Sequence, residues 1–275
     1  MSVRIIVDST ADTCSAVLEK CAIVPMTVTF GDEEFVDGVT ISKSEFYDKL
    51  VQSKELPTTS QPTPDAFAKA YQEAVDAGQK AVVLTVSSKL SGTYQSATMA
   101  AMDFPGNVYV VDTRSVAIGV GVLAELAVNM AQSGATAEEI AKTITEEREK
   151  VRLIAVLDTL EYLKKGGRIS KTVAFAGELL SVKPLVCVKE GEISMLGKVR
   201  GLKQANVQLQ KEIEALGVDT AKPVVYGYTG NDDSLLQKYL SEYGTVGNNP
   251  CHALVGSTIG THVGPGAYAI AFVQK

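Results

Sequence analysis

A chain of 275 residues with 45% hydrophobic and 21% charged residues has the apolar material for a substantial core, and its length suits one large α/β domain or two apposed ones. Its net charge is −6 and its 26 basic residues are scattered rather than gathered in a stripe, which argues against a nucleic-acid-binding surface. Four cysteines, Cys14, Cys21, Cys187 and Cys251, contain no C-x-x-C pair and read as reduced thiols, with no metal or other cofactor expected.

Val3–Val7 opens as a strand with no basic leader or apolar signal core ahead of it, from which a cytoplasmic location is expected. Asp8-Ser9-Thr10 follows at the strand's carboxyl end, where open α/β sheets place ligand loops. Ser9 or Thr10 there reads as a hydroxyl cap for the next helix or as a ligand contact. Ile23–Phe30 reads as a further strand, and Ser42-Lys43-Ser44-Glu45 is a capping box that starts a helix. Pro57-Thr58-Thr59-Ser60-Gln61-Pro62 is a hydroxyl-lined loop stiffened by two prolines. Thr63-Pro64-Asp65 begins another helix, with proline at its favoured first position.

Lys80–Val86 reads as a strand, followed by the hydroxyl-rich turn Ser87-Ser88-Lys89-Leu90-Ser91-Gly92-Thr93-Tyr94. Gly92 permits close backbone approach, and helix-start amides with the Ser91 hydroxyl suit a carboxylate or phosphate. A capped helix without ligand is the plain alternative. Val108–Val111 is a strand, and Ser115–Met130 is apolar but interrupted by Gly119, Gly121 and Glu125. It falls short of the about 20 apolar residues of a membrane span and reads as a buried helix. A second capping box at Thr136-Ala137-Glu138-Glu139 and a strand at Arg152–Leu157 complete a first domain, residues 1–155, with a covered parallel sheet.

From about residue 160 the texture changes, which predicts a second α/β domain over 156–275. Its elements are a short helix at Leu160–Lys165, a hairpin of Pro184–Lys189 and Glu192–Met195 around Glu190-Gly191, and helices at Leu202–Leu216 and Ser234–Tyr243. Strands are expected at Val224–Tyr228, Ala253–Val255 and Ala267–Val273. Two glycine-rich groups stand out, Gly166-Gly167-Arg168-Ile169 and His262-Val263-Gly264-Pro265-Gly266. Arg168 can clamp a carboxylate with two parallel hydrogen bonds and His262 can donate one; a solvated arginine and a satisfied turn histidine are equally open readings.

The sequence has no G-x-x-x-x-G-K-[ST] loop, no G-x-G-x-x-G after the first strand and no G-x-S-x-G elbow, which removes support for nucleotide use and ordinary lipase chemistry. Ser91, His262 and an acid such as Asp8 could imitate a hydrolytic triad. A small-molecule hydrolase or transferase is therefore the enzymatic rival, and a purely regulatory binding module is a third reading.

The ordered set Asp8-Ser9-Thr10, Thr58-Thr59-Ser60-Gln61-Pro62, Ser91-Gly92-Thr93-Tyr94-Gln95-Ser96, Gly166-Gly167-Arg168-Ile169, Lys183-Pro184, Lys198-Val199-Arg200 and His262-Val263-Gly264-Pro265-Gly266 resembles the DegV family, which includes the fatty-acid-binding subunits of bacterial fatty acid kinases. Asp112-Thr113 departs from the Asp-Ser common there. The resemblance implies two closely apposed α/β domains with a long-chain fatty acid buried between them. It implies that Thr59 and Ser91 bind the carboxylate, that Arg168 and His262 extend that network, and that Arg200 serves the partner kinase and phosphoryl transfer. In such systems a separate ATP-dependent kinase subunit phosphorylates the bound acid, and the carrier takes the acyl phosphate to an acyltransferase of phospholipid synthesis.

Overall fold

Short β-branched runs alternating with capped helices fold into three sheets with helices packed between and around them; the computed structural model describes residues 2–169 and 182–275. The chain begins with β1 (Val3–Asp8), α1 (Ser15–Leu18), β2 (Cys21–Val24), β3 (Thr27–Phe30), β4 (Glu33–Val36), α2 (Lys43–Gln52), β5 (Thr58–Ser60) and α3 (Pro64–Asp76). It continues through β6 (Lys80–Thr85), α4 (Thr93–Ala101), β7 (Val108–Asp112), α5 (Ile118–Gln132), α6 (Ala137–Glu147), β8 (Val151–Val156) and α7 (Glu161–Lys165). The remainder is β9 (Val182–Lys189), β10 (Glu192–Arg200), α8 (Leu202–Leu216), β11 (Val224–Tyr228), α9 (Ser234–Tyr243), β12 (Cys251–Leu254), α10 (Ser257–Val263) and β13 (Tyr268–Val273).

The first sheet, β2-β1-β6-β7, is parallel throughout. Its central strands are apolar almost without interruption because both faces are covered: Ile6 and Val83 pack toward α3 and α4, while Ile5, Val7, Val82 and Leu84 face α5 and α6. The second sheet, β10-β9-β8-β13-β11-β12, is mixed. Ile154, Tyr226 and Phe272 bury one face under α8 and α9, and Val225, Ala271 and Leu153 turn the other toward α5.

Helix α5 thus lies between the two sheets and packs against β1 and β6 of one and β8, β11 and β13 of the other. Its residues Ile118 to Ala124, with Ala127 and Val128, are all buried, as a helix apolar on every side must be. Gly121 is needed there, since a Cβ would overlap the Asp12 carbonyl. The helix expected at Ser115–Met130 is therefore real and central. Both capping boxes form, at Ser42 with Glu45 and at Thr136 with Glu139, and Thr63 caps α3 ahead of Pro64.

Four features differ from the sequence expectations. The run Ile23–Phe30 is two strands: Pro25 has no N–H to give a ladder, so β2 remains in the first sheet while β3 turns away into the third. That third sheet, β4-β3-β5, is antiparallel and converts the proline-flanked loop at Thr58–Ser60 into a strand paired with β3. The strand near residue 152 belongs to the second sheet, antiparallel to both β13 and β9; strands covered on both faces look alike in sequence whichever way their neighbours run. The division expected after residue 155 passes through this strand. Finally, neither Ser9 nor Thr10 caps a helix: Ser9 donates to Asp37 and accepts from Met26 N, and Thr10 donates to Asp8.

Candidate functional site

A cavity of about 390 Å³ opens between the two large sheets, within the about 300 to 1,000 Å³ of small-molecule sites. Its floor is the second sheet, where Gly227 pairs with Ala269, Ala269 with Ala155 and Ala155 with Val186 in one cross-strand row. All four line the void. Three small residues in succession leave volume that ordinary strand residues would fill, and Ile118 at the start of α5 and Val86 after β6 face it from the other side. A Cβ at Gly227 would come to 2.8 Å from Ile118 Cγ2.

One end of this apolar space is polar. Thr59, Ser91, Arg168 and His262 all line the cavity, although their positions span more than two hundred residues of sequence. The third sheet delivers Thr59 through its pairing with Val28, and its Oγ1 is hydrogen-bonded to His262 Nε2 at 2.9 Å. Ser91 sits ahead of α4, where its Oγ accepts from Thr93 N at 3.3 Å and shares a hydrogen bond with Thr93 Oγ1 at 2.8 Å. Arg168, after α7, is folded back by Nη1 donating to Gly166 O and Nε donating to Leu90 O.

His262 occupies the last turn of α10, a helix not legible in Ser257-Thr258-Ile259-Gly260-Thr261-His262-Val263 because glycine and β-branched residues disfavour helix. Tertiary contacts supply what propensity lacks. Asp37, 4% exposed, accepts from Ser257 N, Thr258 N and Thr258 Oγ1 at the start of α10, and from Ser9 Oγ. Asp12 accepts from Gly256 N at 2.9 Å and pairs with Lys43 at 2.7 Å; burial pushes its carboxyl up against the pull of that lysine. Asp12 on a loop of the first sheet and Asp37 on a loop of the third therefore hold the helix that carries the second sheet's imidazole.

Burial, followed by the charge of Arg168, lowers His262 to about 4, so the imidazole is neutral near pH 7. Its Nδ1 is buried without a partner among the described residues, and a Cβ on Gly166 would overlap that atom. Neutral imidazole, two hydroxyls and a guanidinium around the end of an apolar void form a set of donors for one anion whose remainder is hydrocarbon.

The same geometry speaks against the hydrolytic rival. A triad needs a carboxylate on the second histidine nitrogen, and no described carboxylate bonds Nδ1. Asp8 instead accepts from Val86 N, Thr10 N and Thr10 Oγ1, and burial pushes its carboxyl up. Asp112 accepts from Ser88 N, Ser88 Oγ and Arg114 N, so it shapes the turn ahead of Ser91. Arg200 lies apart from the cavity, exposed at the end of β10.

Gln61 links the two hydroxyl-bearing segments of the site, a role its place in the proline-flanked run does not reveal. Its Nε2 donates to Ser96 Oγ at 2.9 Å and its Oε1 rests where a Gly92 Cβ would be, so it ties the Thr59 strand to the Ser91 turn. The hairpin turn Glu190-Gly191, both residues at positive φ, docks on the same turn, with Ser87 Oγ donating to Gly191 O at 2.7 Å.

The DegV family model, described as an uncharacterised protein family, matches residues 2–275. A DegV domain-containing protein of Caldanaerobacter subterraneus subsp. tengcongensis is 33% identical over 99% of each chain. Among solved structures, a fatty-acid-binding DegV family protein from Thermus thermophilus superposes with a TM-score of 0.89 at 30% identity, covering 100% of both chains. A DegV lipid-binding protein from Thermotoga maritima gives 0.87 at 31%, again over 100% of both.

Proposed function

The chain belongs to the DegV family, and from that premise we propose that it binds a long-chain fatty acid, with the carboxylate at Thr59, Ser91, Arg168 and His262 and the tail along the floor formed by Ala155, Ala269 and Gly227. The observation that carries this reading is one cavity whose mostly apolar lining includes the Thr59 and Ser91 hydroxyls, the Arg168 guanidinium and the His262 imidazole. Each methylene removed from water contributes roughly 0.8 kcal/mol before the costs of binding. The tail then supplies affinity, while the donors offset desolvation of the carboxylate and fix which end faces the Ser91 turn.

On the same reading the protein is a carrier rather than a complete enzyme. A separate ATP-dependent kinase subunit phosphorylates the bound acid, and the acyl phosphate passes to an acyltransferase of phospholipid synthesis. The exposure of Arg200 at the end of β10 supports a role for it in contact with that kinase rather than with the tail. Lipid extracted from the denatured protein and identified by mass spectrometry tests the first part, with about one fatty acid per chain expected. The Thr59→Ala/Ser91→Ala double variant is expected to lose lipid or kinase-dependent turnover while keeping its circular dichroism spectrum; unchanged lipid and unchanged turnover would remove the carboxylate assignment. Arg200→Ala is expected to keep its lipid and lose coupled turnover.

A further inference from the structure

Two of the four cysteines meet at a seam that the proposed binding site does not use. Cys14 stands immediately before α1 and Cys251 opens β12, the edge strand of the second sheet. The Thr13 hydroxyl bridges them, donating to Cys251 Sγ at 3.7 Å and lying 3.9 Å from Cys14 Sγ. Cys251 and Thr13 are buried while Cys14 is half-buried, so Cys14 is the more accessible of the two to a small oxidant. A reactive thiol poised beside a resolving one is the arrangement that redox-sensitive pairs require.

We propose that Cys14 and Cys251 form a redox-sensitive pair that closes to an intramolecular disulfide under a peroxide. The Cys14 sulfur takes one oxygen as the O–O bond breaks, giving a sulfenic acid and one water. The Cys251 sulfur attacks it, the S–S bond forms, and the hydroxyl leaves with the Cys251 proton as a second water. Two thiols and one peroxide thereby become one disulfide and two waters. Burial pushes the Cys251 thiol up to about 12, which keeps it protonated and leaves the first reaction with peroxide to the more accessible Cys14.

The bond would fasten a loop of the first sheet to the strand that leads, through Val255 and Gly256, into the His262 helix. Asp12 already bonds Gly256 N, so the disulfide adds a covalent tie beside an existing hydrogen bond. Val255, Thr258 and Ile259 line the cavity, and exchange of its contents must disturb the packing between the two sheets. Oxidised protein is therefore slower to exchange ligand. This second consequence rests on the fatty acid reading, whereas the disulfide does not.

The test uses the full reduced chain, treated with hydrogen peroxide, alkylated and mapped by mass spectrometry without reduction. A Cys14–Cys251 peptide pair lighter by two hydrogens and reopened by dithiothreitol, with Cys21 and Cys187 still alkylated, is expected. Alkylation of both Cys14 and Cys251 after treatment, over-oxidation of Cys14 without a link, or pairing with another cysteine overturns the proposal. Exchange of isotope-labelled fatty acid is then compared for oxidised protein and peroxide-treated Cys14→Ser. Severalfold slower exchange in the oxidised protein alone is expected, and equal rates overturn the exchange claim. No uptake of label by any form overturns the fatty acid reading and leaves the mapped disulfide standing.

Discussion

Loading the cavity with a fatty acid is expected to raise the pKa of His262. In the empty protein, burial and Arg168 lower it from 6.5 to about 4. A carboxylate oxygen bonded to Thr59 Oγ1 would lie about 3 Å from that hydroxyl, which is itself 2.9 Å from Nε2, so the charge comes to about 5 Å from the ring. At an effective dielectric of about 20 this attraction is about 3 kcal/mol, or roughly 2 pH units, which returns the imidazole to near its ordinary range. The chain has only two histidines, so a proton NMR titration of the ring signals, with His252→Asn to assign them, reads the change directly. The linkage has a definite sign: between about pH 6.5 and 4 the unfolded chain takes up a proton that the empty fold refuses. Stability of the empty protein should fall through that window by at most about 3 kcal/mol, and the loaded protein should lose less. An unchanged or further lowered His262 titration on loading would refute the placement of the carboxylate.

Gly166→Ala tests the site sterically, because the added Cβ overlaps His262 Nδ1 while the backbone at φ −71° accommodates alanine without strain. Lipid content by mass spectrometry should fall, whereas Gly197→Ala, with open space around its Cβ, should retain it. Asp37→Ala strips the partner from Ser257 N, Thr258 N, Thr258 Oγ1 and Ser9 Oγ. A loss of about 2 to 5 kcal/mol in denaturant unfolding is expected, with α10 the first segment to lose amide protection in hydrogen exchange.

Local signals were legible wherever they were self-contained. Capping boxes at Ser42 and Thr136, proline at the start of α3, and the Glu190-Gly191 turn each specify their structure within four residues. The helices at 202–216 and 234–243 appear at the bounds that their periodicity predicts. What sequence could not show is whatever one segment receives from a distant one. Helix α10 depends on Asp37 and Asp12, far earlier in the chain, and the third sheet depends on β3 leaving β2 at Pro25. Thr59, Ser91, Arg168 and His262 could be marked as anion-binding types, but only the fold brings them to one cavity end. The apolar floor was invisible for the same reason, since it arises from register across β8, β13 and β11.

That floor gives the cavity an uncommon kind of adjustability. The void beneath Ala155, Ala269 and Gly227 is made by absent side-chain atoms, on strands whose hydrogen-bond ladders are complete. Its length and breadth can therefore be rewritten one methyl at a time at Ala155 and Ala269, whereas a methyl at Gly227 also requires the Ile118 side chain to give way. Divergence among chains of this architecture can proceed by editing the shape of a mould while the scaffold that casts it stays unaltered.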